Sequence, residues 1–324
     1  MKPLDKPRFT PAHIVRWMAA QQNWDRIHFD QAFCREVAQL PAPVINGALK
    51  QHLIIQFLQQ ALPGAWPWRV DYQFVGPDFV GEKLQVHGSC GPSQGRWLEV
   101  EIRIVNLDRD LVTTRGRATV LRPEDGPVLH ALHVPAPAGL ALSLAPSAAD
   151  DSLPPDIAAL IGTELEQRES RYPVDLSRLR LFADAVMDLD PVHYDPEAPS
   201  PWGTVVAPPL FPLHGLQARP GDYPLSEAPD AQGREGVNEV GRDLAQRFGW
   251  PAGGGMNAGN QVQVHSLARV GERIQVRSLL AGAKRRRGPR GGEMLFVETL
   301  NRYSEAGGRP LLDERQTTVL RSIG

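Results

Sequence analysis

An internal repeat is the feature of this sequence that most constrains its fold. The segment Val80–Val86, VGEKLQV, matches Val270–Val276, VGERIQV, at five of seven positions, and the two differences are Lys for Arg and Leu for Ile. A chain that carries one unit twice is expected to fold into two similar halves that bury their apolar faces together. The length of 324 residues is sufficient for two domains with a substantial core.

Two octapeptides, each with a central histidine, support the same division. They are Asn23–Asp30, NWDRIHFD, and Asp188–Asp195, DLDPVHYD, and in each a polar side chain lies five positions before the histidine. The histidines, His28 and His193, are 165 positions apart, whereas the matched VGE segments are 190 apart, so the second half has 25 additional residues between them. We place these residues in an insertion at 215–255, either a lid over a pocket or a disordered segment.

The hydrophobic pattern predicts helices followed by antiparallel strands in both halves. In the first half a helix begins at Thr10-Pro11, and a long apolar helix begins at Gly47. Alternating residues then predict strands at Trp68–Val75, Lys83–Ser89, Arg96–Asn106 and Leu111–Leu121, with turns at Gly91-Pro92 and Asp108–Asp110. The second half predicts a helix at Leu176–Val186 and strands at Asn260–His265, Arg273–Ala281, Glu293–Tyr303 and Leu311–Leu320.

These patterns divide the chain into a domain at 1–122, a linker at 123–155 that is rich in Pro, Ala and Gly, and a second domain at 156–324. The net charge of −2 argues against nucleic acid or an anionic membrane as a partner. Two cysteines form neither a disulfide framework nor a metal site, and they suit a reducing cytoplasm. No signal peptide and no apolar run long enough to span a membrane is expected.

Several motifs together resemble a known family. Asp188–Asp195 resembles the D-x-N-P-x-H-x-D motif of the MaoC-like hydratases and dehydratases of the hot-dog fold, and departs from it only at Asp190. Val206–Phe211 and Asn257–Val264 resemble the N-terminal type of hot-dog in that family. Asn23–Asp30 with Val44–Leu49 resembles the C-terminal type, especially in relatives of mesaconyl-CoA hydratase, which also carry Asn in place of Asp.

The resemblance implies an α+β fold, a double hot-dog in which two long helices are each wrapped by an antiparallel β-sheet. It also implies a hydro-lyase that adds or removes water at the α,β double bond of an acyl-CoA or acyl-carrier-protein thioester. No cofactor and no metal is expected, because side chains can perform both proton transfers. The chain is expected to form a homodimer or to pair with another MaoC-like subunit. The alternatives are a non-catalytic subunit that binds acyl thioesters and a hot-dog thioesterase.

The two halves share the expected catalytic groups unequally. The second half has the carboxylate and base, Asp188 and His193, but its helix entry contains Pro208 and Pro209, which have no N–H to donate to the thioester oxygen. The first half has Asn23 where the carboxylate is expected, which would make His28 the sole base, and it has backbone donors at Asn46, Gly47 and Ala48.

The loss of one oxyanion donor costs about 10²–10³ in rate, so this argument favours Asn23 and His28, with Asp188 and His193 as the alternative. A basic run, Lys284, Arg285, Arg286 and Arg287, could contact the phosphates of coenzyme A or could be a solvated hairpin tip.

Overall fold

The structure, a computed structural model, describes residues 1–124, 139–147, 152–216, 256–287 and 292–321. The elements of the first half are β1 (Leu4–Asp5), α1 (Pro11–Gln21), α2 (Gln31–Glu36), α3 (Gly47–Ala61), β2 (Trp66–Phe74), β3 (Leu84–Gln94), β4 (Trp97–Asn106) and β5 (Leu111–Leu121). Those of the second half are α4 (Pro155–Ala158), β6 (Glu164–Glu169), α5 (Leu176–Val186), β7 (Met256–Val264), β8 (Ile274–Arg287), β9 (Glu293–Glu305) and β10 (Pro310–Arg321). Short 3-10 turns lie at Arg26–His28, Pro191–His193 and Phe211–His214.

The described strands form one antiparallel sheet of ten strands in the order β1-β3-β4-β5-β2-β7-β10-β9-β8-β6. The halves meet where β2 pairs with β7, with Asp71 opposite Gln261. The indole N–H of Trp66 also donates to the Val264 carbonyl at 3.0 Å. Backbone and side-chain hydrogen bonds therefore join the two halves into a continuous sheet.

The repeated VGE segments have the same structure in both halves. Strands β3 and β8 begin at Leu84 and Ile274, the equivalent positions of the repeat. The preceding glycines, Gly81 and Gly271, have φ of 97° and 92°, a backbone conformation that glycine adopts without steric cost. The glutamates that follow them accept backbone N–H bonds at equivalent positions, Glu82 from Phe79 and Glu272 from Arg269. The prediction of two similar halves is confirmed.

Helix α3 forms the core of the first half. Its apolar side chains, including Leu49, Leu53 and Phe57, are fully buried, and complete burial of such a side chain contributes about 1.5–3 kcal/mol. The helix lies so close to the sheet that a Cβ on Gly88 would come 2.6 Å from the Phe57 ring. An apolar helix of this kind is stable because the sheet covers it, as the sequence predicts.

In the second half, only the beginning of the corresponding segment lies in the described part of the chain. The 3-10 turn Phe211–His214 stands where α3 begins in the first half, and the residues at 217–255 lie outside the described ranges. The second long helix and almost all of the 215–255 insertion therefore remain predictions. The space between α1, α3 and α5 is filled by a cluster of edge-to-face and tilted rings, namely Trp17, His52, Phe182 and His214.

The predicted turn at Gly91-Pro92 is wrong. Strand β3 continues to Gln94 through a register shift between Cys90 and Ser93, and the chain turns at Gly95, where φ is 59°. A β-bulge accommodates proline within a strand because the extra residue needs no ladder hydrogen bond. The sequence also missed β1 and β6, since short polar edge strands show little alternation and form through backbone pairing.

Part of the predicted linker lies across the sheet. Residues 139–147 are tied to side chains of β2, β7 and β10, as Arg69 donates to the Leu140 carbonyl at 2.7 Å and Gln263 accepts from the Leu142 N–H at 2.8 Å. Leu142 is buried, so this part of the linker packs against the sheet. Residues 125–138 and 148–151 of the linker lie outside the described ranges, and the proposed domain boundaries remain predictions.

Candidate active site

The second octapeptide places a histidine and a carboxylate side by side in the interior. Asp190 caps the 3-10 turn by accepting the Val192 N–H, and His193 ends that turn. The His193 Nδ1 lies 2.9 Å from the Val206 carbonyl, which can only accept, so Nδ1 carries the proton and Nε2 is left as a base. Nε2 lies 3.8 Å from the Asp188 Oδ2 and has no hydrogen-bond partner among the described residues.

The separation of Asp188 from His193 suits a shared water. At 3.8 Å the two atoms are too far apart for a direct hydrogen bond. One water can bridge groups at this kind of spacing, donating to both the imidazole and the carboxylate. Asp188 is 7% exposed and His193 is 1% exposed, so both groups lie in a medium of low dielectric, where electrostatic interactions are strong.

The first octapeptide pairs its histidine differently. The His28 Nδ1 donates to the Val44 carbonyl at 2.8 Å, which matches His193, but Nε2 accepts a hydrogen bond from the Asn46 side-chain amide at 3.0 Å. Asn23 instead accepts the Asp25 N–H at 3.1 Å. Burial lowers the pKa of His28 to about 4, so its imidazole is neutral at pH 7. The sequence pattern pairs His28 with Asn23, but in the structure the side chain bonded to His28 is that of Asn46.

One of the expected oxyanion donors of the first half, the Ala48 N–H, is also occupied. The Asn46 Oδ1 accepts the Ala48 N–H at 2.8 Å as the cap of α3. A Cβ on Gly47 would come 2.7 Å from the Phe74 ring, so an aromatic side chain already covers this end of the helix. The first half therefore loses part of the advantage expected for it, because the Asn46 side chain engages both the His28 base and the Ala48 donor.

Equivalent positions in the second half lack this obstruction. Isolated β-bridges join Val44 to Phe79 and Val206 to Arg269, which aligns the two helix entries at an offset of 162 residues. At that offset Pro208 corresponds to Asn46, and Leu210 corresponds to Ala48. Leu210 is fully buried, and its N–H donates to no partner among the described residues.

A buried ion pair that sequence reasoning missed fixes the beginning of α3. The Lys50 ammonium lies 2.8 Å from the Asp78 carboxylate, and the two side chains are 3% and 0% exposed. Asp78 also accepts from Asn106 at 2.9 Å, and Arg109 lies 3.5 Å away. Burial lowers the pKa of Lys50, while the charge of Asp78 raises it. A lysine within an otherwise apolar helix face was the available signal, since a buried lysine needs a partner.

The basic run lies at one end of strand β8. Arg285 pairs with Glu293 at 2.8 Å, whereas Arg286 and Arg287 are exposed. The run begins about 30–40 Å along the strand from Ile274, which is near the Val206–Arg269 bridge beside His193. A phosphate-binding role for this run therefore remains a prediction, and the run's distance along the strand from His193 gives it no support.

Other classes of site are not indicated by the described residues. Within those ranges, no group of three or more His, Cys, Asp or Glu side chains is arranged to hold a metal ion. No helix in the described part of the chain has the length and apolar character needed to cross a membrane. A polar groove lies on the face of the sheet opposite α3, lined by Arg103, Arg115 and other charged side chains, and it does not include either histidine pair.

Comparisons with known proteins agree with the fold and the two octapeptides. A family model described as hydroxyacyl-thioester dehydratase type 2 matches residues 2–80, and one described as FAS1-like, dehydratase domain region, matches residues 159–314. The first range contains His28 and the second contains Asp188 and His193. A comparison with curated proteins finds no significant match.

Three solved structures illustrate the similarity in fold. A MaoC-domain protein from Chloroflexus aurantiacus is 12% identical, with a TM-score of 0.61 over 100% of this chain and 94% of that one. A conserved hypothetical protein of Mycobacterium tuberculosis with a double hot-dog fold is 13% identical, with a TM-score of 0.51 over 99% and 96%. A MaoC-like dehydratase from Phytophthora capsici is 11% identical, with a TM-score of 0.50 over 97% and 94%. At these identities the comparison establishes the fold, and the expectation of a double hot-dog is confirmed.

The fold and the dehydratase matches in both halves define a thioester hydro-lyase of the double hot-dog class. The chain resembles the MaoC-like hydratases and dehydratases in fold, and its reaction is the addition or removal of water at the α,β double bond of an acyl thioester.

Proposed function

We propose that Asp188 and His193 are the catalytic pair of this hydro-lyase and that the first half has a supporting role. The observation that carries this proposal is the unpaired Nε2 of a buried His193, which lies 3.8 Å from a buried carboxylate. In the first half the corresponding nitrogen is bonded to Asn46, and Asn23 cannot accept a proton from water at neutral pH.

In the hydration direction, His193 removes a proton from a water that Asp188 holds. The water oxygen bonds to Cβ, and the electron pair of the double bond moves toward the thioester carbonyl to form an enolate. Asp188 stabilises the imidazolium of His193, which then returns the proton to Cα. Water is thus divided into OH on Cβ and H on Cα with no net gain or loss of protons, and dehydration is the reverse sequence.

The enolate oxygen needs a hydrogen-bond donor, and the Leu210 N–H is our candidate. The first half supports this choice, because the Asn46 carboxamide there spans His28 Nε2 and the Ala48 N–H. A planar group with a carbonyl oxygen therefore fits between base and donor, in the way that a thioester would. In the second half Pro208 takes the place of Asn46 and has no side-chain amide, so the Leu210 N–H is available to substrate.

The substrate in this proposal is a phosphopantetheine thioester, carried by coenzyme A or by an acyl carrier protein. Crotonyl thioesters of both carriers, compared at equal concentration, distinguish the two sources by their kcat/KM. The proposed location is the cytoplasm, because Cys34 and Cys90 are free thiols. Light scattering of the purified protein tests the proposed homodimer and, with a second MaoC-like chain added, the alternative of a mixed complex.

Loss of enoyl absorbance with crotonyl-CoA and longer enoyl-CoAs measures the reaction. We expect His193→Ala to lower kcat by roughly 10²–10⁴, the usual contribution of a general base. Asp188→Asn should also lower kcat, while His28→Ala, the matched change in the first half, should act mainly on stability.

The reverse ranking of the two histidine variants would move the catalytic pair to the first half. Release of free thiol would favour the thioesterase, and activity only in the presence of a second subunit would favour the non-catalytic binding protein.

A further inference from the structure

A lysine from the first half reaches the catalytic pair of the second half. Lys6 directly follows β1, whose residues Leu4 and Asp5 pair with Val86 and Gln85 of β3. The Lys6 ammonium donates to the Met187 carbonyl at 2.8 Å, across 181 positions of sequence. Met187 ends helix α5 in the left-handed conformation, with φ of 56°, and is the residue immediately before Asp188.

The contact fixes the backbone from which the carboxylate projects. A non-glycine residue in the left-handed region is held there by its surroundings, and the Met187 N–H bonds to carbonyls at the end of α5. Lys6 holds the carbonyl of the same residue, which lies in the peptide group that joins Met187 to Asp188. Asp188 in turn accepts the Asp190 N–H with Oδ1, which leaves Oδ2 directed toward His193.

The charge of Lys6 also bears on Asp188. Lys6 is partly buried, and burial lowers its pKa, while the attraction of the Asp188 carboxylate raises it. Lys6 makes no direct ion pair among the described residues, so it acts through the Met187 backbone and through its electric field.

The residues at the equivalent positions of the other half differ. The residue 165 positions after Lys6 is Arg171, which is exposed, and Asn23 takes the place of Asp188. The partly buried cation is therefore found beside Asp188, and the octapeptide of the first half has Asn23 at the equivalent position. This asymmetry is expected if the cation serves the carboxylate rather than the helix end alone.

We propose that Lys6 is a positioning residue for the Asp188–His193 pair, supplied by the first half of the chain. It holds the end of α5 and places a positive charge near Asp188, so that the carboxylate stays directed toward the shared water. This inference rests on the proposed function of that pair.

Three substitutions separate the two contributions of Lys6. Lys6→Arg keeps the charge and a donor, Lys6→Gln keeps a donor without the charge, and Lys6→Met removes both. We expect Lys6→Met to lower kcat for crotonyl-CoA roughly 10- to 100-fold, the scale of one nearby charge in a partly buried site, with little change in KM. Lys6→Gln should lower kcat as well, whereas Lys6→Arg should retain most of the kcat of the parent protein.

The matched control is Arg16→Met, which removes another cation of the first half that contacts α5 by breaking the exposed Arg16–Asp184 pair between α1 and α5, and it should leave kcat unchanged. Unfolding midpoints in urea identify a variant that merely fails to fold. If Lys6→Met folds and retains full kcat, or if it only raises KM, the proposal for Lys6 is refuted. If His193→Ala and Asp188→Asn retain full kcat, the proposed catalytic pair fails instead, and the two failures are thereby distinguished.

Discussion

Acid should destabilise this protein through three histidines that are buried in the neutral form. Burial lowers the pKa of His28 to about 4 and that of His214 to about 3, and it lowers the pKa of His52 well below the ordinary 6.5. His52 and His214 pack against aromatic rings, whereas His28 is bonded to the Val44 carbonyl and the Asn46 amide. Burial is the largest cause of each shift, and no carboxylate contributes to these shifts. Protonation is therefore much easier in the unfolded chain than in the folded one.

The direction and size of the effect follow from proton binding. Above pH 6.5 neither state binds these protons, so the stability is complete; as the pH falls toward about 4 for His28 and about 3 for His214, only the unfolded state gains them. At 1.36 kcal/mol per pKa unit, His28 alone removes about 3 kcal/mol over its window. With three histidines titrating, the free energy of unfolding should fall by about 3–4 kcal/mol per pH unit below pH 6. Since domains have about 5–15 kcal/mol in total, unfolding near pH 5 is expected.

Urea unfolding, measured from about pH 8 to about pH 5, tests this prediction. The matched variant is His52→Phe, because the Nε2 of His52 has no hydrogen-bond partner among the described residues and its ring packs edge-to-face against Trp17 and Phe182. It should reduce the pH slope by about 1.4 kcal/mol per unit, which corresponds to one proton. A slope that is flat in the parent protein, or unchanged in His52→Phe, would refute the description of these rings as buried and neutral.

Two further predictions concern the helix entry of the first half. Lys50→Met should lower the free energy of unfolding in urea by about 3–5 kcal/mol, because it leaves the Asp78 carboxylate buried without its cation. The double variant Lys50→Met with Asp78→Asn should recover part of that loss. If the single and double variants lost the same stability, the pairing of Lys50 with Asp78 would be contradicted. In a His193→Ala background, Asn23→Asp with Asn46→Gly should restore measurable hydration, because it supplies a carboxylate and frees both the His28 Nε2 and the Ala48 N–H. No gain in turnover by a folded variant would show that Asn46 is not what keeps the first half inactive.

The sequence anticipated the fold because its signals are local or repeated. The VGE repeat required two equivalent strands, and β3 and β8 begin at the matched residues. The apolar run after Gly47 required a covering sheet, and α3 is buried within one. Signals that depend on a distant partner were missed, as with the edge strand Glu164–Glu169, whose polar residues show no alternation and which forms by pairing with β8.

The sequence by itself determined that this chain holds two histidine motifs on a double hot-dog, with an aspartate five positions before only one of the histidines. Only the tertiary structure decided which histidine has an unpaired nitrogen. That outcome depends on where the Asn46 side chain goes, and on its pairing with both His28 and the Ala48 N–H. The tertiary structure also brings Lys6 to Met187, the residue before Asp188, and no sequence pattern indicates this contact. Hydrogen bonds between residues far apart in the chain form only when the folded backbone brings donor and acceptor within about 3 Å, and local periodicity contains no information about that distance.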